Sequence, residues 1–577
     1  MTGSSDPRRP TAPPPRSALP SPATARILAA LCAGFGGLAF ELAVVRRFGL
    51  LLGTTTAAAT AVVAVFLAGL GLGGYLASRP GGRRGLRGAA VAYLGVAVWL
   101  AASGAILARL GPPPSWLGLV LLLATVGGPA VLMGSAFPRL FDAVGGRWAP
   151  AWLVAANLAG SVIAAWSVGN LLIAELGLDA TVRIAAGCYL LAAALAAAGA
   201  PRGVEAEVTG VGALPAHAGA AWLVAGAGFL TLGYEVLLFR RLPFFLDGFQ
   251  PTFAGVLTAC LATLALGAVA APVFGRGRAA APRALVLAAV GAVLGRWPVG
   301  SDLGLHLRIA GTAALVTLLP LGAAGAVLPL SLARFEPADR GRIAGRLFLA
   351  QGLGILAGAL CIGQLAPRLF PTSLFAVAAP LVALGALFAL ARVHAVLAAA
   401  GATAVVLLGL FGVAGAGTIF EPRPPVRGSR YDRLEAYLPI EHRSDTVTTA
   451  SVVYDRAHHS MVLFTDEFRA AYTGPGTSYM KVLGHLPFLL SEGLREVAVI
   501  ALGTGTTADA VRAWPDPERI HVVEISAAVL SLVDRFAGDG PVATGVPAPF
   551  RVDPRTEVHV ADGRRWLATR PERSLDL

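Results

Sequence analysis

Two eleven-residue stretches, LAFELAVVRRF at residues 38–48 and LGYEVLLFRRL at 232–242, carry the organisation of this chain. Each sets one glutamate, Glu41 or Glu235, inside an apolar run, five and six residues before an arginine pair, Arg46/Arg47 or Arg240/Arg241. The offset between them is 194. The same offset pairs Asn157 with Gln351, Gly160 with Gly354, Gly169 with Gly363, Asn170 with Gln364 and Gly73 with Gly267. A constant offset over several apolar blocks implies a duplication into two similar units of about six helices each. Units separated by an even number of spans share one orientation in a membrane.

Composition agrees with a membrane location. The chain has 577 residues, 56% of them hydrophobic and 14% charged, with a mean hydropathy of +0.69. Soluble chains carry about 25% charged residues. Apolar blocks fall near 25–45, 55–78, 88–110, 116–138, 149–174, 183–200, 219–239, 252–275, 283–297, 307–333, 343–366, 370–392 and 395–416. Most approach the roughly 20 residues that cross a bilayer. The expected fold is a polytopic α-helical membrane domain followed by a C-terminal α/β Rossmann-like domain. Residues 1–23, rich in Pro and Arg, read as a disordered tail, and 24–200 as the first membrane repeat. A linker occupies 201–217. The second repeat with an extra helix takes 218–416, and a soluble domain takes 420–577. The segment after the tail is too long for a signal-peptide core, so it reads as a retained first helix.

The net charge is +13, and Lys481 is the single lysine. The arginines fall at helix ends and in short loops, which fits the positive-inside rule and not a nucleic-acid groove. Alternate loops carry about 19 Arg on the N-terminal side and about 9 on the other, which puts the N-terminus in the cytoplasm. Thirteen spans then put the C-terminal domain outside, whereas a domain for a cytosolic nucleotide belongs inside. The chemistry takes precedence here, since one weak helix changes the parity; the expected location is a bacterial inner membrane with the C-terminal domain cytoplasmic. Cys32, Cys188, Cys260 and Cys361 sit far apart in apolar segments and read as packing residues.

An ionisable group within a span costs roughly 2.5–3.5 kcal/mol on insertion scales unless paired or wet. Glu41 and Glu235 therefore read either as a substrate or proton site between the repeats or as helix-end glutamates held by an arginine or a backbone donor. Asn157, Asn170, Gln351 and Gln364 read as hydrogen-bonding glue between helices, and GLGLGG (69–74) as a close-packing surface.

From about residue 420 the pattern changes. TVTTASVVYD (446–455) and SMVLFTDEF (460–468) read as paired strands around a turn at 456–459, and SYMKVLGHLPFLL (478–490) as a helix. EVAVIAL (496–502), RIHVVEIS (519–526) and EVHVADGRRWL (557–567) read as strands alternating with helices, which implies a parallel sheet with ligand at the C-terminal strand ends. Gly503 and Gly505 allow a tight turn and close backbone approach to a ligand, with Thr506 opening the next helix. Glu524, 21 residues after Gly503, can accept both hydroxyl hydrogens of a ribose. Asp562, followed by Gly563, is placed for an adenine amino group. GTGTTA also satisfies the dinucleotide pattern G-x-G-x-x-G/A, so an NAD-sensing domain competes. His458 and His459 read as solvated turn residues. His521 and His559 flank strands with no ligand partner at metal spacing, so no metal is expected.

The soluble segment resembles the spermidine synthase (polyamine aminopropyltransferase) family, a branch of the class I AdoMet-dependent fold. The membrane part resembles helices fused to that domain in predicted membrane-bound spermidine synthases, as in residues 40–74. The resemblance implies that Gly503, Gly505, Thr506, Glu524, Asp562 and Gly563 hold decarboxylated S-adenosylmethionine or S-adenosylmethionine. It also implies that Asp466, Tyr479 and His485 meet an amine such as putrescine. Met480-Lys481 stands where the family has His-Glu, and a positive lysine is a poor neighbour for a cationic amine. The family's catalytic aspartate, at the end of a fourth strand, is expected beyond Leu577, so no catalytic residue is assigned and the sheet is expected to be incomplete. Three functions are consistent with these residues: an aminopropyltransferase, a transporter or membrane scaffold with a nucleotide-sensing domain, and a methyltransferase acting on a membrane substrate. The bilayer is the expected partner, with no nucleic acid.

Overall fold

A computed structural model describes residues 21–52, 56–79, 85–107, 120–142, 145–200, 217–242, 250–294, 305–371, 373–414, 437–466, 468–537 and 548–577. Six helical stretches are long and apolar enough to cross a membrane, and further apolar helices lie between them. Helices suit this role because they satisfy their backbone polar groups internally.

The first repeat comprises α1 (Pro22–Leu52), α2 (Thr56–Ala77), α3 (Gly85–Leu107), α4 (Val120–Arg139), α5 (Ala149–Ser167, continuing through Val168–Leu176) and α6 (Gly177–Ala198). The second comprises α7 (Ala218–Arg241), α8 (Gln250–Val269), α9 (Ala280–Leu294), α10 (Leu305–Leu332), α11 (Arg340–Leu369) and α12 (Leu374–Ala391). A thirteenth described helix, α13 (Ala395–Ala414), packs outside against α9 and α12. Ser21 caps α1, its Oγ accepting from the Thr24 N–H at 3.2 Å. The helix thus starts inside the segment assigned to the tail, because Pro suits a first helical turn.

The duplication is reproduced in the packing. In the first repeat α1 packs on α5 and α6, and α2 on α4; in the second α7 packs on α11 and α12, and α8 on α10. The halves meet through α2 against α11 and α5 against α8, contacts that exchange under the same repeat. Glycines set the approach. A Cβ on Gly160 would strike the Leu31 carbonyl, and one on Gly354 the Ala225 carbonyl, at the 194-residue offset on both sides. Gly134 meets Leu70 and Gly325 meets Leu264 in the same way. The 69–74 run serves two neighbours: Gly69 and Gly73 face α4, while Gly71 and Gly74 face α11. Asn157 acts as glue, donating to the Ala30 carbonyl across the α1–α5 contact at 3.1 Å. Asn170 does not, since it donates to Trp166 of its own helix at 2.8 Å. It lies in a π-helical stretch, Val168–Leu176, whose counterpart, Cys361–Leu365, contains Gln364. Paired π segments mark one level of both halves; such segments recur at functional sites.

The soluble domain has two sheets. An antiparallel meander runs β1 (Tyr437–Ser444), β2 (Thr449–Asp455), β3 (Ser460–Thr465) and β4 (Phe468–Tyr472). β1 is unforeseen in the sequence. It is an edge strand that accommodates Pro439 beside an irregularity between Pro439 and Glu441, where a missing N–H is tolerated. The stretch expected to be one strand over 460–468 breaks at Asp466, whose φ is +55°. α14 (Ser478–Leu490) precedes a parallel sheet of β5 (Glu496–Ile500), β6 (Arg519–Glu524) and β7 (Thr556–Val560). α15 (Thr506–Arg512) follows β5, α16 (Ala527–Leu532) follows β6, α17 (Pro549–Val552) precedes β7, and α18 (Gly563–Ala568) follows it. The third strand stops just short of Asp562, the acid expected at its end, and Gly563–Ala568 is helix. Asp562 makes the break, its Oδ1 accepting from the Arg564 and Arg565 N–H groups at 3.0 and 3.3 Å. Asp576 and Leu577 lie along the free edge of β5: Asp576 N–H donates to the Glu496 carbonyl and Ala498 N–H to the Leu577 carbonyl, both at 2.8 Å.

The two domains touch. Arg240, at the end of α7, donates to the Asp445 carbonyl at 2.8 Å. Ser444 N–H donates to the carbonyl of Pro371, just past α11, at 2.7 Å. Alternation along the thirteen described helices places both helix ends on the face opposite the start of α1. The soluble domain, which touches both helix ends, therefore sits on that face.

Candidate functional site

A cavity of about 640 Å³ lies between the two halves, a size that suits a small organic molecule. Its wall is chiefly Leu, Val and Phe from both repeats, with a few polar groups. Glu41 on α1 and Glu235 on α7 line it, as do Asn157 on α5 and Gln351 on α11. These are two pairs related by the 194-residue offset. Thr231 and Arg240 complete the polar part on α7, and Val447 and Asp466 of the soluble domain also line it.

Among the described side chains, no neighbouring arginine holds either glutamate. Arg47 pairs with Asp179 at 2.9 Å, and Arg240 turns to the Asp445 carbonyl. Among the described residues neither Glu41 nor Glu235 has a hydrogen-bond or ion-pair partner, although Glu235 is only 8% exposed. Among the described residues, one buried carboxyl, Glu235, and one half-buried carboxyl, Glu41, thus face one apolar chamber without a partner.

Asp466 stands where the two domains meet. Its Oδ1 accepts from the Thr449 N–H at 2.9 Å. Burial pushes its carboxyl above the usual range and the neighbouring Asp445 adds to this, against the Thr449 hydrogen bond and the Arg240 charge. Tyr479 and His485 do not join it at the cavity. Tyr479 is exposed on α14. His485 accepts at Nδ1 from the Trp514 indole N–H at 3.0 Å and so ties α14 to the loop after α15.

The glycine turn lies at the other end of a short polar route. Gly503 and Gly505 have φ of +57° and +83°, which glycine permits at little steric cost, and Ala501 holds +72° despite its Cβ. Glu524, at the end of β6, is buried; its Oε2 accepts from the Leu502 N–H and its Oε1 from the Ser526 N–H, both at 2.9 Å. Ser526 in turn donates from Oγ to Asp445 Oδ2 at 2.8 Å, and the Asp445 carbonyl holds Arg240. Arg240, Asp445, Ser526 and Glu524 thus link the cavity rim to the acid beside the glycine turn. Thr506 begins α15, its hydroxyl 2.8 Å from that of Thr504. Asp562 and Gly563 end β7 and start α18, so the six residues expected to hold a nucleoside gather at the C-terminal ends of three parallel strands. Asp445 and Ser526 escape a sequence reading because a serine and an aspartate 81 positions apart show no motif.

No known protein family matches the chain, and no curated protein matches it. Among solved structures, the chain is similar to a bacterial homologue of the iron transporter ferroportin in an outward-facing state, at 16% identity and TM-score 0.41, covering 68% of this chain and 98% of that one. It is also similar to XylE, a major facilitator superfamily proton:xylose symporter, at 15% identity and TM-score 0.43, covering 69% and 95%. The two-half architecture stands on this chain's own repeat and helix packing. The protein is an integral membrane protein. Its helical domain takes up about 70% of the chain, and a smaller mixed α/β region follows.

Proposed function

We propose that the protein is a membrane carrier whose central cavity takes a small, largely apolar cation, with the C-terminal domain acting as a nucleoside-sensing unit. The observation that carries this reading is the pair of repeat-related carboxyls, Glu41 and Glu235, which face one apolar chamber without a partner among the described residues. A cation entering there meets two carboxyls in one chamber, and the Leu, Val and Phe walls favour an apolar body around it. The polar route from Arg240 to Glu524 offers a way for the nucleoside site to bias the cavity rim.

The test is equilibrium binding to the purified full chain in detergent, with tetraphenylphosphonium as an apolar cation and putrescine as a polar one. Tetraphenylphosphonium is expected to bind saturably, and Glu41→Gln and Glu235→Gln each to weaken it by about tenfold, the loss of roughly 1.4 kcal/mol. Equal binding by wild type and the double variant ends this reading.

A second reading is favoured by the placement of Asp466. In the aminopropyltransferase interpretation, decarboxylated S-adenosylmethionine lies along Gly503, Gly505, Glu524 and Asp562, and an amine arrives from the cavity past Asp466. The amine attacks the carbon beside the sulfonium, the C–S bond breaks with its electron pair going to sulfur, and methylthioadenosine leaves. Methylthioadenosine formed from decarboxylated S-adenosylmethionine and putrescine supports the transferase; nucleoside binding without turnover supports the sensor.

A further inference from the structure

The parallel register of β6 and β7 sets His521 opposite Glu557, with His559 one step further along the same face. Their ligand atoms converge: His521 Nδ1 is 3.1 Å from His559 Nε2 and 3.3 Å from Glu557 Oε2, and the last two are 3.8 Å apart. A metal bound at about 2.0–2.2 Å by two imidazoles and a carboxylate sets tetrahedral ligand separations of about 3.3–3.5 Å. Sequence spacing shows no third ligand for these histidines, because Glu557 and His559 meet His521 through strand pairing.

A second observation concerns the far side of the His521 ring. Its Nε2 lies 3.2 Å from Glu496 Oε2 on β5. A carboxylate receiving the distal N–H fixes the tautomer and leaves Nδ1 as a lone pair, the arrangement that second-shell acids give metal-binding histidines. That lone pair then faces a Glu557 oxygen, which is also an acceptor. The single proton His559 can offer from Nε2 does not satisfy both. The Arg570 guanidinium stands 3.5 Å from His521 Nδ1 and stacks on Trp566 at 4.2 Å, so a positive charge already serves this corner. His521 is 1% exposed, while His559 and Glu557 open to solvent. His521 and Glu524 are an odd number of positions apart on β6, so the cluster lies on the sheet face opposite the Glu524 side chain.

We propose that His521 Nδ1, His559 Nε2 and Glu557 Oε2 form a binding site for a borderline divalent cation such as Zn²⁺, with Glu496 as the positioning acid and solvent completing the coordination. Two imidazoles and one carboxylate suit zinc better than calcium or magnesium, which prefer all-oxygen sites. The ion takes the position at His521 Nδ1 that the Arg570 guanidinium approaches to 3.5 Å.

The experiment is Zn²⁺ binding to the untagged, purified full chain, measured by competition with a chromophoric chelator, with Co²⁺ absorption as a second readout. One equivalent of Zn²⁺ is expected. His559→Ala and Glu557→Gln, both partly exposed and therefore safer for folding than a change at His521, are expected to abolish stoichiometric binding. Glu496→Gln is expected to weaken it about 10–100-fold, and Arg570→Ala to leave it equal or tighter. A wild-type chain that retains no stoichiometric Zn²⁺ against a weak chelator overturns the proposal. So does an equivalent of Zn²⁺ that survives in both His559→Ala and Glu557→Gln.

Discussion

At the residue scale, single side chains in the soluble domain hold loops that the sequence leaves open. Arg555 donates to the carbonyls of Arg512 and Trp514 at 2.7 and 2.8 Å, and to Asp553 Oδ2 at 2.8 Å. The Arg555 side-chain hydrogen bond holds the Asp553 carboxyl down at about 2. A carboxyl depressed on folding contributes stability that is complete above its unfolded pKa of about 3.9 and is lost as pH falls through the folded value. Acid unfolding of the full chain, followed by near-UV circular dichroism, should therefore show a loss of stability between about pH 4 and pH 2. Asp553→Asn should flatten that part of the profile; an unchanged slope shows that the pair does not report on folding. Asp562 teaches a related lesson. Its place at a strand end is legible in the sequence, whereas its duty as the cap of α18 depends on the backbone turning there.

At the element scale, the internal repeat is the most legible feature, because a helix contact made twice leaves the same residue twice. Gly160 and Gly354 each bring a carbonyl of the partner helix too close for any Cβ. Gly160→Leu and Gly354→Leu should each destabilise the membrane domain by about 1–3 kcal/mol, the usual cost of overpacking. Gly187, with open space at its Cβ position, should accept Ala with no loss. Melting of the purified chain in detergent separates these outcomes, and equal melting of all three variants contradicts the packing. Strand β1 was harder to read: Pro439 and the charges at Glu441 and Arg443 mask its pattern, and only pairing with β2 reveals it as an edge.

At the scale of the whole molecule, the soluble domain docks on the membrane face opposite the start of α1 through Arg240–Asp445 and Ser444–Pro371. Cysteine labelling from each side of sealed vesicles, in a background lacking the four native cysteines, should find a site at Ser21 and one at Glu518 accessible from opposite faces. Labelling of both from one side contradicts the thirteen-helix alternation. The arginine asymmetry and the chemistry of a cytosolic nucleotide pull in opposite directions here, since the start of α1 and the soluble domain lie on different faces. The same docking brings Asp466, an expected amine residue, to the membrane cavity and leaves Tyr479 and His485 on α14.

The sequence alone determined the membrane class, the duplication with its 194-residue offset, the position of the soluble domain and the glycine turn with its strand-end acids. These follow from composition, periodicity and local backbone demands, which act over a few residues or repeat at a constant interval. Only the tertiary structure decided that Glu41 and Glu235 share one chamber, that Asp445 and Ser526 join the cavity rim to Glu524, and that His521 meets Glu557 and His559. Each of those depends on which helices cross and which register two strands adopt, and side chains brought together that way leave no spacing for a sequence to show.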